Sequence, residues 1–428
     1  MLPSLVTPRF LVMCGFSFVV FLSAFQLFPT APFHILDLGG GDAASGLFLG
    51  FLTYASAFSA PATGALADRV GFTRVMVVSS VALCAFSIVY AVLPGYKLML
   101  ALAVVHGMFW SGLLTASAAY LTNMLPVDRR AEGIGYYGLA SVAAIAVAPP
   151  IGFWVYRFGW RALCLESAAL NATMAVVAWR IAGTQAPDAV RVSERRTSQP
   201  APGTPRFAPR APHSALRAPH SAPRSRPAAP RPRVVEWRVL VLALSLFLCT
   251  FGYGGITSFT ALYADASGVS PKGIYLTLLA VVILTTRPLA GRLGDRLGYR
   301  RIYLPCLALI AVGLWCLTRG GTLFWQATSA VIFGAGFGTA YPVFVGYVMR
   351  HVDADRRGAA FGAILAAFDT GIGTGSTSMG WIIGRYGFAT AFGVAAALST
   401  LAIPYFLIAE RSFAKTAAGI SRDREIGK

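Results

Sequence analysis

Apolar runs of about 20 residues, the length a helix needs to cross a bilayer, recur along this chain and are separated by short polar connections. In the first half they fall at residues 9–29, 44–66, 75–93, 98–124, 133–156 and 161–182. In the second they fall at 237–263, 271–294, 302–318, 322–349, 357–383 and 388–409. Connections this short join antiparallel neighbours in a helical bundle. The pattern predicts an all-α polytopic membrane protein of twelve transmembrane helices in two six-helix bundles, residues 1–182 and 237–410. Residues 411–428 form a polar tail. The run from Phe10 to Phe28 is longer than the apolar core of a signal peptide and is read as the first span.

Residues 183–236 break the pattern. The stretch APGTPRFAPRAPHSALRAPHSAPRSRPAAPRPR is almost entirely Pro, Ala, Arg and Ser, and such a composition cannot bury enough surface to offset its chain entropy. It is expected to be a disordered or polyproline-like linker, its arginines drawn to an anionic cytoplasmic leaflet. His213 and His220 repeat within it without the spacing of a metal site.

Composition agrees with the membrane reading. Of 428 residues 56% are hydrophobic and 12% charged, against about 25% charged in soluble domains. The net charge of +19 would suggest nucleic acid in a soluble protein, but here the basic residues gather in alternate connections. Arg69, Arg74, Arg129, Arg130, Arg296, Arg300, Arg301, Arg350, Arg356, Arg357 and the tail lie on one side, whereas residues 30–43 carry neither Lys nor Arg. The positive-inside rule then places both termini and the linker in the cytoplasm of a cell whose inner membrane holds the chain. No nucleic-acid partner is expected. The six cysteines sit in or beside apolar runs without close pairing, and are read as packing residues.

A repeat ties the halves together. GALADRVGFTR at 64–74 returns as GRLGDRLGYRR at 291–301. Gly64, Leu66, Asp68, Arg69, Gly71 and Arg74 match Gly291, Leu293, Asp295, Arg296, Gly298 and Arg301, and the same register carries Pro61 onto Pro288 and Asp128-Arg129-Arg130 onto Asp355-Arg356-Arg357. An ungapped register over separate motifs indicates a duplicated half. Glycine allows a tight turn and close helix approach, and a carboxylate at a helix end can hold contacts that one conformation makes and another breaks.

This loop, found twice, resembles the cytoplasmic signature of the major facilitator superfamily between helices 2 and 3 and between helices 8 and 9. The resemblance covers the chain except for 183–236 and the tail. It implies two bundles about a central cavity with alternating access, and gating roles for Gly64, Asp68, Arg69, Gly71, Gly291, Asp295, Arg296 and Gly298. The segment AIAVAPPIGFW at 144–154 is similar to the helix-5 signature of drug:proton antiporters: Pro149 and Gly152 fit, while Ala144, Ala148 and Phe153 replace glycines. Pro149 and Gly152 are equally what a kinked, closely packed helix needs. Since helices 1, 4, 7 and 10 face the cavity in this family, Gln26, Tyr253, Tyr263 and Tyr341 are candidates to line it.

Ionisable residues inside spans are costly unless used or paired. Asp369 stands twelve residues beyond Arg357, about 18 Å into the bilayer at about 1.5 Å per residue, and its counterpart in the first half is Val142. A charge present in one copy alone points to a role of this particular chain. Arg287, whose counterpart is Ala60, is a candidate partner, an anion ligand, or a residue that snorkels to headgroups. His106, in the fourth span, could titrate near neutral pH or simply be hydrogen-bonded packing. Glu166, near the outer end of the sixth, is expected to be peripheral. Asp369, Arg287 and His106 are thus the proton-coupling candidates.

The chain has no Walker loop, zinc-peptidase motif, nucleophile elbow or paired cysteines, so neither an enzyme, a metal site nor a cofactor is expected. The sequence predicts a monomeric secondary transporter that exports a small organic molecule against proton entry. Import of a sugar, organic anion or metabolite, and a non-transporting sensor or assembly subunit, stay open.

Overall fold

The computed structural model describes residues 7–126, 129–183, 237–352 and 356–426. The linker with His213 and His220 lies outside them, as do Asp128 and Asp355.

The described chain is helical: α1 Pro8–Asp37, α2 Asp42–Val70, α3 Phe72–Val92, α4 Tyr96–Met124, α5 Arg130–Tyr156, α6 Trp160–Gly183, α7 Trp237–Ala266, α8 Ile274–Leu297, α9 Tyr299–Leu317 and α10 Leu323–His351. A last helical element, Arg357–Ile426, is broken at Gly387 by a backbone no helix adopts, φ 81° and ψ 171°. The break divides it into α11 (357–386) and α12 (388–426). Among the described residues ten elements are long and apolar enough to cross a bilayer, the last of them, Ala359–Phe413, holding the break. In α8 the described apolar stretch is Ile274–Pro288.

Local chemistry sets the helix ends. Thr7 caps α1, its side chain accepting from the Phe10 amide at 3.2 Å, with Pro8 in the first turn. Such a cap satisfies a donor that the helix itself leaves open. The two copies of the sequence repeat form equivalent elbows. Gly71 ends α2 and starts α3 with φ 101° and ψ 137°, and Gly298 does the same for α8 and α9 with φ 89° and ψ 134°. A side chain would strain either elbow.

Pairing within the halves repeats as well. In the first, α1 packs on α5, α2 on α4 and α3 on α6; in the second, α7 packs on α11, α8 on α10 and α9 on α12. Polar ties lock these pairs. Trp160 Nε1 donates to the Tyr90 carbonyl at 2.9 Å and Asn171 Nδ2 to Ser87 Oγ at 3.1 Å, joining α6 to α3. At the far side of the second half Glu410 accepts from the Tyr347 hydroxyl at 3.1 Å and faces Arg300 at 3.5 Å. Large apolar side chains are exposed, among them Phe58, Trp179, Trp237, Phe324 and Ile408. In water that would be a liability; in lipid it is the requirement.

Candidate functional site

The halves meet most closely toward the end bearing the α1–α2 connection, along α2 and α11. The Ser376 hydroxyl donates to the Gly46 carbonyl at 2.8 Å and shares a 2.7 Å hydrogen bond with Ser258 of α7. A turn deeper, the Tyr54 and Thr374 hydroxyls lie 2.7 Å apart. Gly46 backs onto the main chain of Ser376, and Gly373 onto Thr53 and Gly50. This is the close approach that small residues permit between membrane helices. Alongside, Pro149 and Phe153 of α5 abut Gly273 at the mouth of α8, and the Lys272 ammonium stands 5.0 Å from the Phe33 ring centroid of α1.

The elbows lie at the other end. Positions where a Cβ would stand on Gly64 of α2, Gly135 and Gly138 of α5, and Gly362 of α11 have no neighbour within 4 Å among the described residues. The close contacts between the halves described here lie at the α1–α2 end.

Asp369 lies between the two ends. Its carboxyl faces the Ser56 hydroxyl of α2, across the boundary between halves. Asp369 is deep in the protein yet only partly buried, as expected of a side chain bordering open space. Around it, Tyr341 of α10 is within electrostatic range of both Asp369 and Arg287, and Arg287 within range of Tyr253 on α7. Arg287 and Asp369 therefore join one polar cluster through Tyr341, without a direct ion pair among the described residues. Apolar walls complete it: Tyr253 stacks on Phe337 at 4.4 Å, and Tyr341 meets Phe368 edge-on at 5.0 Å.

The remaining candidates lie elsewhere. His106 is buried between α3 and α4, 3.3 Å from the Tyr90 hydroxyl and stacked on Phe86. Gln26 is fully buried and donates to Glu166 of α6 at 3.1 Å, its Cα packed where a Cβ on Gly152 would stand. Tyr263 stacks on Phe388 at 4.8 Å, inside the second half. Asp68 and Arg69 are exposed at the end of α2, and Arg296 at the end of α8. Gly291 and Asp295 belong to α8; their surroundings lie outside the described side chains.

Ser56, Phe337 and Phe368 had drawn no attention as site residues. Phe368 adjoins Asp369 in sequence, which is a usable signal; a serine in an apolar helix carries none. A second aromatic group, Phe21 and Phe25 of α1 with Trp110 of α4, has Phe21 5.7 Å from Trp110. Among the described residues no group of three His, Cys, Asp or Glu could hold a metal ion.

Two bundles of apolar helices that meet beside a polar cluster have the architecture of a membrane carrier. The major facilitator superfamily profile matches residues 13–286 and 272–425, and the chain belongs to that superfamily: it is a multi-pass membrane transporter. The MFS-type transporter YhhS of Escherichia coli K12 is 23% identical over 401 residues, 91% of this chain and 89% of that protein. The MFS-type transporter PA1993 of Pseudomonas aeruginosa is 28% identical over 155 residues, 36% of this chain and 39% of that protein. Among solved structures, a D-xylose-proton symporter superposes with a TM-score of 0.69 at 15% identity, covering 94% of this chain and 97% of that one. The nucleoside transporter NupG gives 0.65 at 14% identity, covering 94% and 99%. At such identities the likeness is one of fold.

Proposed function

We propose that this chain exports a small, partly apolar organic molecule from the cytoplasm across the inner membrane, driven by proton entry. The observation that carries the reading is the position of Asp369, on α11 against Ser56 of α2, where the halves meet. A carboxylate there must be solvated or paired, whereas a neutral acid can be enclosed. Protonation can thus decide whether the halves close over this level. Tyr253, Tyr341 and the Phe337–Phe368 wall offer stacking surfaces and hydroxyls for the cargo. With basic residues marking the elbow end as cytoplasmic, the cargo enters from that end and the two bundles rock about the cavity as units.

Reconstituted vesicles test this. An imposed pH gradient is applied while a panel of lipophilic cations, zwitterions and organic anions is offered. The expected result is proton movement on addition of a transported compound, and accumulation opposite to the proton flow. Asp369→Asn should retain counterflow and lose gradient-driven accumulation. Accumulation unchanged in that variant would overturn the coupling role. A second reading, uptake of a small anion together with a proton, is favoured by Arg287 standing in the same cluster; accumulation in the direction of proton flow would select it.

A further inference from the structure

The pair formed by Gln26 of α1 and Glu166 of α6 is unfinished. Gln26 Nε2 donates to Glu166 Oε1 at 3.1 Å. The two other oxygens, Gln26 Oε1 and Glu166 Oε2, are closed off from solvent and have no hydrogen-bond partner among the described residues. Both are acceptors when the acid is ionised, and buried acceptors left open are rare in native proteins. No cation compensates: among the described residues Glu166 forms no ion pair. The nearby titratable groups on the packed helices have other engagements. His34 of α1 stacks on Trp160, Asp37 of α1 accepts from Tyr156 of α5, and Tyr90 of α3 meets His106. On α6 itself Arg161 is exposed and Cys164 is buried.

One proton resolves the arrangement. A carboxylic acid and a primary amide are complementary: the amide N–H donates to one acid oxygen while the acid O–H donates to the amide oxygen. We propose that Glu166 is a second proton-binding site of this transporter, neutral in the conformation seen here and paired through its proton with the Gln26 amide. An added proton on Oε2 turns that acceptor into a donor and gives Gln26 Oε1 its missing partner. When the proton leaves, the O–H bond breaks, its electron pair stays on Oε2 and the proton passes to water. The pair then keeps one hydrogen bond and gains a buried charge. Because the Gln26 backbone is pressed against Gly152 of α5, the proton helps hold α1, α5 and α6 in register. The site is independent of Asp369 and of the direction of transport.

Infrared spectroscopy of the full-length protein in lipid vesicles tests it, with pH as the only ligand. At neutral pH the wild type should show a carboxylic-acid C=O band that Glu166→Gln removes and Asp369→Asn leaves. Gln26→Leu should shift that band, since the acid loses its amide partner. Glu166→Gln can rebuild the paired ring as an amide–amide contact, so it should fold. In a dye-monitored titration from neutral to alkaline pH it should release one proton fewer than the wild type. A band unchanged by Glu166→Gln, or equal proton counts, would overturn the proposal.

Discussion

The hydroxyls of Tyr54 and Thr374 lie 2.7 Å apart although 320 positions separate them in the chain. One belongs to each half, so this contact exists only while α2 and α11 lie together. With Ser376 on the Gly46 carbonyl and Asp369 on Ser56, it forms a polar ladder on the line where a transporter of this kind must part.

Gly46→Val should open that line. A Cβ at position 46 would overlap the Ser376 carbonyl, and overpacking of this kind costs about 1–3 kcal/mol. The cost falls on the sealed conformation alone, a shift of about 5- to 150-fold in population. Spin labels on Ala43→Cys and Gly384→Cys, both exposed near the seal, should show a new long-distance population by pulsed electron resonance. An unmoved distance distribution would contradict the role given to this contact.

Ser56→Ala should act at the same boundary more gently. It removes the hydroxyl that Asp369 faces, a donor whose bond to the carboxyl is worth about 1.5–3 kcal/mol if the acid is ionised and about 1 kcal/mol if it is neutral. In the same spin-label experiment the sealed population should therefore fall further at alkaline than at acid pH. If Asp369→Asn is introduced as well, the pH dependence of the Ser56→Ala effect should vanish.

Trp160→Phe should destabilise without touching transport chemistry. It leaves the Tyr90 carbonyl without its indole donor at the α3–α6 contact, a loss of about 1–3 kcal/mol. Thermal unfolding in detergent should show a lower midpoint, while proton flux per folded molecule stays unchanged. A change in flux would place α6 in the moving parts rather than in the frame.

What a sequence supplies for a membrane helix is depth; what it withholds is rotation about the axis. Twelve residues from Arg357 to Asp369 are enough to put the acid well inside the bilayer, and the repeat alone pairs the elbows at Gly71 and Gly298. The superfamily fold was legible from that repeat and the spacing of apolar runs. Rotation is different, because a helix bounded by lipid on one side and protein on the other is apolar all round. Nothing in the residues flanking Gln26 says that it points to Glu166, or that Tyr263 points to Phe388. The same holds for His106, directed at Tyr90. Ser56 was hidden for this reason too: its importance comes from α11, which lies more than 300 residues away.

The ladder between α2 and α11 is, above Asp369, made of hydroxyls and main-chain carbonyls. Such groups carry no net charge, so the voltage across an energised membrane exerts almost no force on them. A carboxylate is another matter, since moving one elementary charge through 100 mV is worth about 2.3 kcal/mol. The seal is electrically silent, and the acid beneath it is the part that can feel the field.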